Sequence, residues 1–348
     1  TTVTLVGRML EASGYRTFVG GNIGQPLIER VAEIRPEDRV VLELSSFQLE
    51  GLGPAMPPAR VFPEGGWSPR VAAITNITPN HLDRHPTMQA YIDAKANILR
   101  YQEGESWAIL NADDPVVRGL RAECRGGVRE FSLEVEPAAG AWLAGDALLW
   151  RPEPGRGSER ICTVSELQLR GRYNIANVLT ACAASGAAGA TAAAMREVAI
   201  TFTGVEHRLE LVRTLRGVAY YNNSIATSPE RVMATLSAFS EPVVLLAGGR
   251  DKHLPWDEWA TLVGERVREV ICFGEMVPLL QRVLEPVRAQ KAVRVHTCDT
   301  MEQAVQLAAS VARPGDIVLL SPGGTSFDAY VDFEARGEAF RAAVHSLT

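Results

Sequence analysis

Pro242-Val243-Val244-Leu245-Leu246-Ala247-Gly248-Gly249-Arg250-Asp251-Lys252 decides the architecture of the second half of the chain. It opens as an unbroken apolar run of strand length, the pattern of a strand covered on both faces. It ends in two glycines and a charged turn, at the carboxyl end of a strand where open parallel sheets carry their ligand loops. The same alternation recurs around it. Strands are predicted at 218–222, 242–246, 269–273, 293–296 and 317–320, with helices at 229–239, 256–267, 277–287, 301–311 and 333–344. Five strands with helical crossovers predict a doubly wound, Rossmann-like α/β domain.

Working back towards the start, helical spacing of Leu5, Val6, Met9 and Leu10 predicts a helix over 4–12, stopped by Gly14. A strand at 17–19 and a helix near 26–34 follow. Short apolar runs at 39–44 and 71–77 predict strands of a mostly parallel sheet covered on both faces. A helix at 88–101 and a strand at 107–110 continue the alternation. Strand-like pieces at 129–133, 147–150 and 161–169, joined by Pro- and Gly-rich links, predict a small antiparallel addition. Helices at 174–188 and 192–200 lead to Phe202-Thr203-Gly204, where the domain boundary falls. The expected domains are therefore 1–204 and 205–348.

Of the 348 residues, 46% are apolar and 22% charged, ordinary values for a globular protein, and the net charge of −6 disfavours a general nucleic-acid or anionic-membrane binder. Five scattered cysteines without a CxxC pair predict reduced thiols in a cytoplasmic protein rather than a disulfide framework or zinc site. No apolar run reaches the ~18 residues of a membrane span.

Several segments carry more polar chemistry than turns require. Thr1-Thr2 before a helix is an N-cap, or the tail of a phosphate-binding loop. Gly20-Gly21-Asn22-Ile23-Gly24 is a tight turn that offers an amide at a strand end. In Leu42-Glu43-Leu44-Ser45-Ser46-Phe47-Gln48-Leu49-Glu50 a carboxylate interrupts an apolar strand, so it needs a cation, a metal or strong donors, unless the strand end is solvated. Asn76-Ile77-Thr78-Pro79-Asn80-His81-Leu82-Asp83-Arg84-His85 gathers titratable groups at the next strand end, and Glu43 with His81 would suit a hard cation. Lys95 lies on a helix, where lysines are usually solvated. Asn174 and Asn177 share a helix face, as caps or as amide contacts to a nucleotide. Beyond the boundary stand His207-Arg208, Tyr221-Asn222-Asn223-Ser224-Ile225-Ala226-Thr227, the Gly248–Lys252 loop and Ser321-Pro322-Gly323-Gly324-Thr325-Ser326-Phe327-Asp328.

In this order, and led by LELSSFQLE and NITPNHLDRH, these segments resemble the Mur ligase family over essentially the whole chain, and its D-glutamate-adding branch best. The resemblance implies a central P-loop-type ATPase domain over 1–204, cut within its phosphate loop, and a C-terminal ligase domain over 205–348. The family's UDP-binding N-terminal domain and the loop lysine would lie upstream of Thr1, and without them little turnover is expected. The activity implied is ATP-dependent addition of D-glutamate to UDP-N-acetylmuramoyl-L-alanine through an acyl phosphate. The protein would be a monomer, with small-molecule substrates and no nucleic-acid or membrane partner. Another Mur-type ligase, a folylpolyglutamate synthetase-like enzyme, or a non-catalytic nucleotide-binding relative are the alternatives.

The roles implied by the resemblance follow position by position. Thr1, Glu43, His81 and Lys95 would hold two Mg²⁺ ions, Lys95 as a carbamylated lysine. Lys95, His81 and Asn22 would serve the chemistry. Thr1, Thr2, Asn174, Asn177, Arg208 and Asn223 would contact ATP, and Ser45, Thr227, Lys252, Ser326 and Phe333 the substrates. Asn223 stands where the family often has Asp, and Ile225 where it often has Lys.

Overall fold

Leu5, Val6, Met9 and Leu10 form the buried stripe of the first helix, α1 (Thr2–Ala12). A Cβ on its Gly7 would lie 2.4 Å from Val19 Cγ2, so the bare backbone there lets α1 lie against the following strand. The computed structural model describes residues 1–23, 27–53, 66–78, 84–290 and 293–348. They divide into two units, Thr1–Phe202 and Thr203–Thr348.

In the first unit α1 is followed by β1 (Thr17–Gly21), β2 (Arg39–Glu43), α2 (Ser46–Glu50), β3 (Val71–Ile74), α3 (Met88–Arg100), β4 (Trp107–Asn111) and α4 (Pro115–Gly119). Then come β5 (Gly127–Ser132), β6 (Gly140–Ala144), β7 (Ala147–Arg151), β8 (Glu159–Thr163), α5 (Arg172–Ala187) and α6 (Ala192–Thr201). β1 and β2 pair in parallel, Thr17 opposite Arg39 through Gly21 opposite Glu43, in a two-stranded sheet of their own. Val40 and Leu42 remain 43% and 37% exposed, which corrects the expectation that 39–44 is buried on both faces. The helix expected near 26–34 is a 3₁₀ segment, Leu27–Glu33, that buries none of its residues.

The larger sheet runs β3-β4-β5-β6-β7-β8. β3 to β6 are parallel, and only β6-β7-β8 is antiparallel. The 129–133 stretch therefore belongs to the parallel part, and β6 is an addition to the expected strands. α5, whose Ala181, Ala183 and Ala184 are all buried, packs on this sheet, and α1 packs on α5 and α6. A further cluster joins Tyr91 and Leu99 of α3 and Val117 of α4 to Ile74 and Leu110.

The second unit comprises β9 (Glu210–Leu215), β10 (Val218–Asn222), α7 (Pro229–Leu236), β11 (Val243–Gly248), α8 (Asp257–Arg266), β12 (Val267–Phe273), α9 (Val277–Gln290), β13 (Arg294–Cys298), α10 (Met301–Val311), β14 (Ile317–Gly323) and α11 (Phe333–Ser346). Its sheet order is β13-β12-β11-β14-β10-β9, parallel except for β9. Strand alternation sorts the core into two layers. Val243, Leu245 and Ala247 of β11 join Ile317 and Leu319 of β14 beneath α7, α8 and α9. Val244, Leu246, Val318 and Leu320 face α10 and α11. The five expected parallel strands are present, and β9 adds an antiparallel edge.

All five cysteines are free thiols. Burial pushes Cys162 up to about 11 and Cys272 up to about 12.

One ion pair ties β8 to α6. Glu166 accepts from Thr163 N at 2.8 Å and Thr163 Oγ1 at 3.0 Å, and Arg196 of α6 bridges Glu166 to the Ile161 carbonyl. Arg196 and the Thr163 donors hold the Glu166 carboxyl down to about 2. A folded-state value below the unfolded ~4.3 makes this contribution complete above ~4.3 and lost as pH falls through the folded value. Thermal melts should therefore show Glu166→Gln less stable than the parent at pH 7, with the gap closing below pH ~4. An equal gap at pH 7 and pH 3 would contradict this account.

Candidate functional site

Four polar residues meet where α1 and α5 begin. Thr1 occupies the N-cap of α1 without a side-chain capping bond. Thr2 Oγ1 donates to Asn177 Oδ1 at 2.9 Å, Asn177 Nδ2 donates to Asn174 Oδ1 at 3.1 Å, and Asn174 Nδ2 donates to Arg170 O at 2.7 Å. This chain orients both amides and joins two helix N-termini, whose unpaired N–H groups and positive dipole ends favour an anion.

At the carboxyl ends of β1 and β2, Asn22 N donates to Glu43 O at 2.7 Å. Gly21 sits at φ +99°, and a Cβ there would lie 2.2 Å from Glu43 O, so the turn demands glycine. Asn22 is exposed. The Glu43 side chain is half-buried and makes no ion pair among the described residues. Ser45 closes a capping box at the start of α2, accepting from Gln48 N while Ser45 N donates to Gln48 Oε1.

His81 and Asp83 lie outside the described residues. From the same segment, His85 is buried, its Nε2 2.9 Å from Ser46 Oγ and its Nδ1 3.3 Å from Glu50 Oε1. Its ring stacks on Phe47 and tilts against Tyr91, with centroids 5.6 and 5.1 Å apart. One turn along α3, Lys95 Nζ lies 5.0 Å above the Tyr91 ring. Lys95 is half-buried, has no carboxylate partner among the described residues, and burial lowers its pKa. It is not the solvated helical lysine that position alone predicts. At sequence level His85 is only one of the titratable groups clustered at 81–85, with no role of its own. Its partners Ser46 and Glu50 lie four apart on α2, on one face of that helix.

In the second unit the loops after β10, β11 and β14 lie side by side, because these three strands are adjacent in the sheet. His207 and Leu209 both take positive φ, 60° and 51°, on either side of Arg208, which points out exposed and without an ion pair among the described residues. That strained turn is pinned from several sides. His207 N donates to Glu210 Oε2 at 2.9 Å, Ile225 N donates to His207 O at 3.2 Å, and Leu209 N donates to Asn223 Oδ1 at 3.2 Å. Asn222 Nδ2 lies 3.0 Å from His207 Nδ1, where the amide can only donate, so Nε2 carries the ring proton of the neutral form. A Cβ on Gly337 would lie 2.2 Å from His207 Nδ1, so only glycine lets α11 approach.

Lys252 Nζ donates to Thr227 Oγ1 at 3.1 Å. Ser326 is buried, and its hydroxyl makes no hydrogen bond among the described residues. Phe333 meets the His207 ring edge-on at 6.4 Å, and its carbonyl accepts from Ser224 Oγ at 2.7 Å. Beneath them Arg336, with no exposed surface, donates to Ser224 Oγ, Ser224 O, Gly324 O and Thr325 O. Sequence reasoning missed Arg336, which reads as an ordinary polar position on a helix.

Among the described residues, Glu206, His207 and Glu338 form a grouping with metal-ligand spacing. Arg341 pairs with both carboxylates, at 3.4 and 2.9 Å, and His207 Nδ1 is occupied by Asn222. The grouping is thus satisfied internally.

Two α/β units, with a polar site at paired helix N-termini and another at three strand ends, are the frame on which the comparisons bear. The family models described as "Mur ligase middle domain" and "Mur ligase, glutamate ligase domain" match residues 1–185 and 207–324. The chain belongs to the Mur ligase family.

Among curated relatives, it is 45% identical to the UDP-N-acetylmuramoylalanine--D-glutamate ligase of Symbiobacterium thermophilum, over 100% of this chain and 73% of that protein. It is 41% identical to the protein of the same name from Acetivibrio thermocellus, over 100% and 72%. Solved structures share the fold. A UDP-N-acetylmuramoyl-L-alanyl-D-glutamate--2,6-diaminopimelate ligase aligns with TM-score 0.67 at 17% identity, over 100% of this chain and 77% of that one. The MurF ligase of Thermotoga maritima, solved in complex with ADP, aligns at 0.63 and 16% identity, over 99% and 78%.

Asn223 allows a direct test of how the strand-end loops are held. Its Nδ2 donates to Thr235 Oγ1 at 2.8 Å and Ser321 Oγ at 3.1 Å. The Thr235 hydroxyl proton is already given to Arg231 O at 2.8 Å, so position 223 must supply a donor. Asn223→Asp would bury a carboxylate against an oxygen lone pair. The expected loss is about 1–3 kcal/mol, seen as a lowered melting midpoint at neutral pH and recovered in part at acid pH as the new carboxyl protonates. An unchanged midpoint would show that Thr235 can turn its hydroxyl around.

Proposed function

We propose that this chain is the catalytic portion of an ATP-dependent ligase that joins D-glutamate to the carboxylate of UDP-N-acetylmuramoyl-L-alanine in cytoplasmic peptidoglycan precursor synthesis. The supporting observation is a pair of polar sites of complementary chemistry. In the first unit, paired helix N-termini suit phosphate, and Glu43 and Lys95, which make no ion pair among the described residues, suit a metal. Lys252, Thr227 and Ser326 suit a dicarboxylate. The chain holding them is 45% identical along its whole length to a protein named for this reaction.

Residues 1–204 serve as the nucleotide domain and 205–348 as the acceptor domain, in a protein read as a monomer. Thr1, Thr2, Asn174, Asn177, Arg208 and Asn223 are read as the contacts to ATP. A half-buried carboxylate with no ion pair among the described residues fits a hard divalent cation, so Glu43, with Thr1, His81 and Lys95 as its carbamate, would hold the two Mg²⁺ ions. Those ions supply charge neutralisation when bound.

The donor carboxylate takes the γ-phosphoryl group of ATP, giving an acyl phosphate and ADP. The acceptor amine then attacks, and the tetrahedral adduct expels phosphate. Asn22 and Ser45 border the donor carboxylate, while Thr227, Lys252, Ser326 and Phe333 surround the acceptor. Burial lowers the Lys95 pKa from the ordinary lysine value, which raises the neutral share of its amine, the form that reacts with CO₂.

In the full-length protein, phosphate release should require UDP-MurNAc-L-Ala and D-glutamate together. Release with L-glutamate or a diamino acid instead would remove the substrate assignment. Lys95→Ala should lower turnover by at least roughly 10²–10³-fold, the scale of losing a charge-positioning group, with no rescue by bicarbonate. Full activity of that variant would rule out the carbamate.

A further inference from the structure

Three cations of the second unit gather on one turn. Ile225 O accepts from Thr227 N at 2.9 Å and from Arg231 Nη1 at 3.2 Å. Thr227 Oγ1 accepts from Lys252 Nζ at 3.1 Å, and Arg336 holds Ser224 from beneath. Among the described residues, no carboxylate comes within ion-pair distance of Arg231, Lys252 or Arg336, although Arg250, one loop away, is paired with Glu275 at 2.9 Å. Lys252 registers the crowding. Its pKa is lowered by burial first and then by Arg231 and Arg336.

Arg231 is also misplaced for a purely structural cation. It lies in the first turn of α7, where the helix dipole disfavours positive charge. Its side chain reaches back to the Ile225 carbonyl through Nη1 alone. No described residue hydrogen-bonds to Nε or Nη2, the edge of the guanidinium that binds a carboxylate through two parallel bonds. The turn thus anchors an exposed guanidinium by one nitrogen, leaves the other two without a hydrogen bond among the described residues, and keeps its charge close enough to be felt by Lys252.

We propose that Arg231 is a specificity-determining contact to the acceptor amino acid, binding one of its carboxylates side-on while Lys252 and Thr227 engage the other. The proposal rests on the reading that Thr227, Lys252 and Ser326 surround the acceptor. A dicarboxylic amino acid carries two anionic ends, and Lys252 alone supplies one cationic pole.

The test is steady-state kinetics of the full-length protein with the acceptor varied at saturating ATP and UDP-MurNAc-L-Ala. Arg231→Ala should raise the KM for D-glutamate about ten- to a hundredfold, the loss of one charge-assisted pair, with kcat within about threefold and the other two KM values unmoved. Arg231→Lys, which keeps the charge but not the fork, should fall between the two. With D-glutamine as acceptor, a smaller penalty for Arg231→Ala assigns the side-chain carboxylate, and an equal penalty the α-carboxylate. An unchanged KM for the acceptor, or a loss confined to kcat or melting temperature, would overturn the proposal. If the parent protein takes a different acceptor, the D-glutamate reading fails, and the KM for that acceptor in Arg231→Ala still decides the role of Arg231.

Discussion

A guanidinium with no exposed surface, and no carboxylate in contact among the described residues, sits under the second domain's strand ends, and the loops there depend on it. Stripping water from an arginine is costly unless its donors are met. Arg336 meets them with the Ser224 hydroxyl and the carbonyls of Ser224, Gly324 and Thr325. Burial pulls it down to about 10, so it stays charged at neutral pH. Those acceptors belong to the loops after β10 and β14, and Thr325 in turn exchanges backbone hydrogen bonds with Arg250 of the β11 loop. Gly249, at φ +103° with a would-be Cβ 2.1 Å from Thr325 O, shows how little room the arrangement leaves. One buried charge therefore fixes the spacing of three loops that carry Thr227, Lys252 and Ser326, and groups held this way need little reorganisation on binding.

The two units differ in which buried polar groups they satisfy internally. In the second, amides and carboxylates are spent on one another. Asn222 and Asn223 have internal partners for both their donors and acceptors, and the two carboxylates of the Glu206–His207–Glu338 grouping are bridged by Arg341. In the first, Glu43 and Lys95 are half-buried and unpaired among the described residues. A partly desolvated charge without a partner is unfavourable in isolation and points to a partner brought by ligand.

The strands of the second domain were legible because burial on both faces writes itself into an unbroken apolar run, as in 242–246. β9 was not, because its antiparallel edge position leaves most of its residues only partly covered, and its mixture of charged and apolar residues reads as a linker. β2 misled in the opposite sense. Val40 and Leu42 look like core residues, but whether a strand is covered depends on its neighbours in space, which no local pattern encodes. The same division holds for the site. Glycine-flanked polar loops at strand ends could be read directly. The tie from His85 to Ser46 and Glu50, the inward turn of Lys95 and the place of Arg336 depend on tertiary register and could not.

The sheet order has a consequence for how the second domain comes into being on the ribosome. β14 lies between β10 and β11, so the last strand synthesised is the one on which the two early strands pair. Until residue 323 has left the exit tunnel, β10 and β11 have no common neighbour, and the cores on both sheet faces lack their central residues. Arg213 of β9 then closes on the carbonyls of Val344, His345 and Leu347, joining the first strand of the domain to its final helix. A stop codon placed between positions 317 and 344 would thus take out the keystone of the sheet or its closing latch, and nascent chains of that length would depend on chaperones to stay soluble.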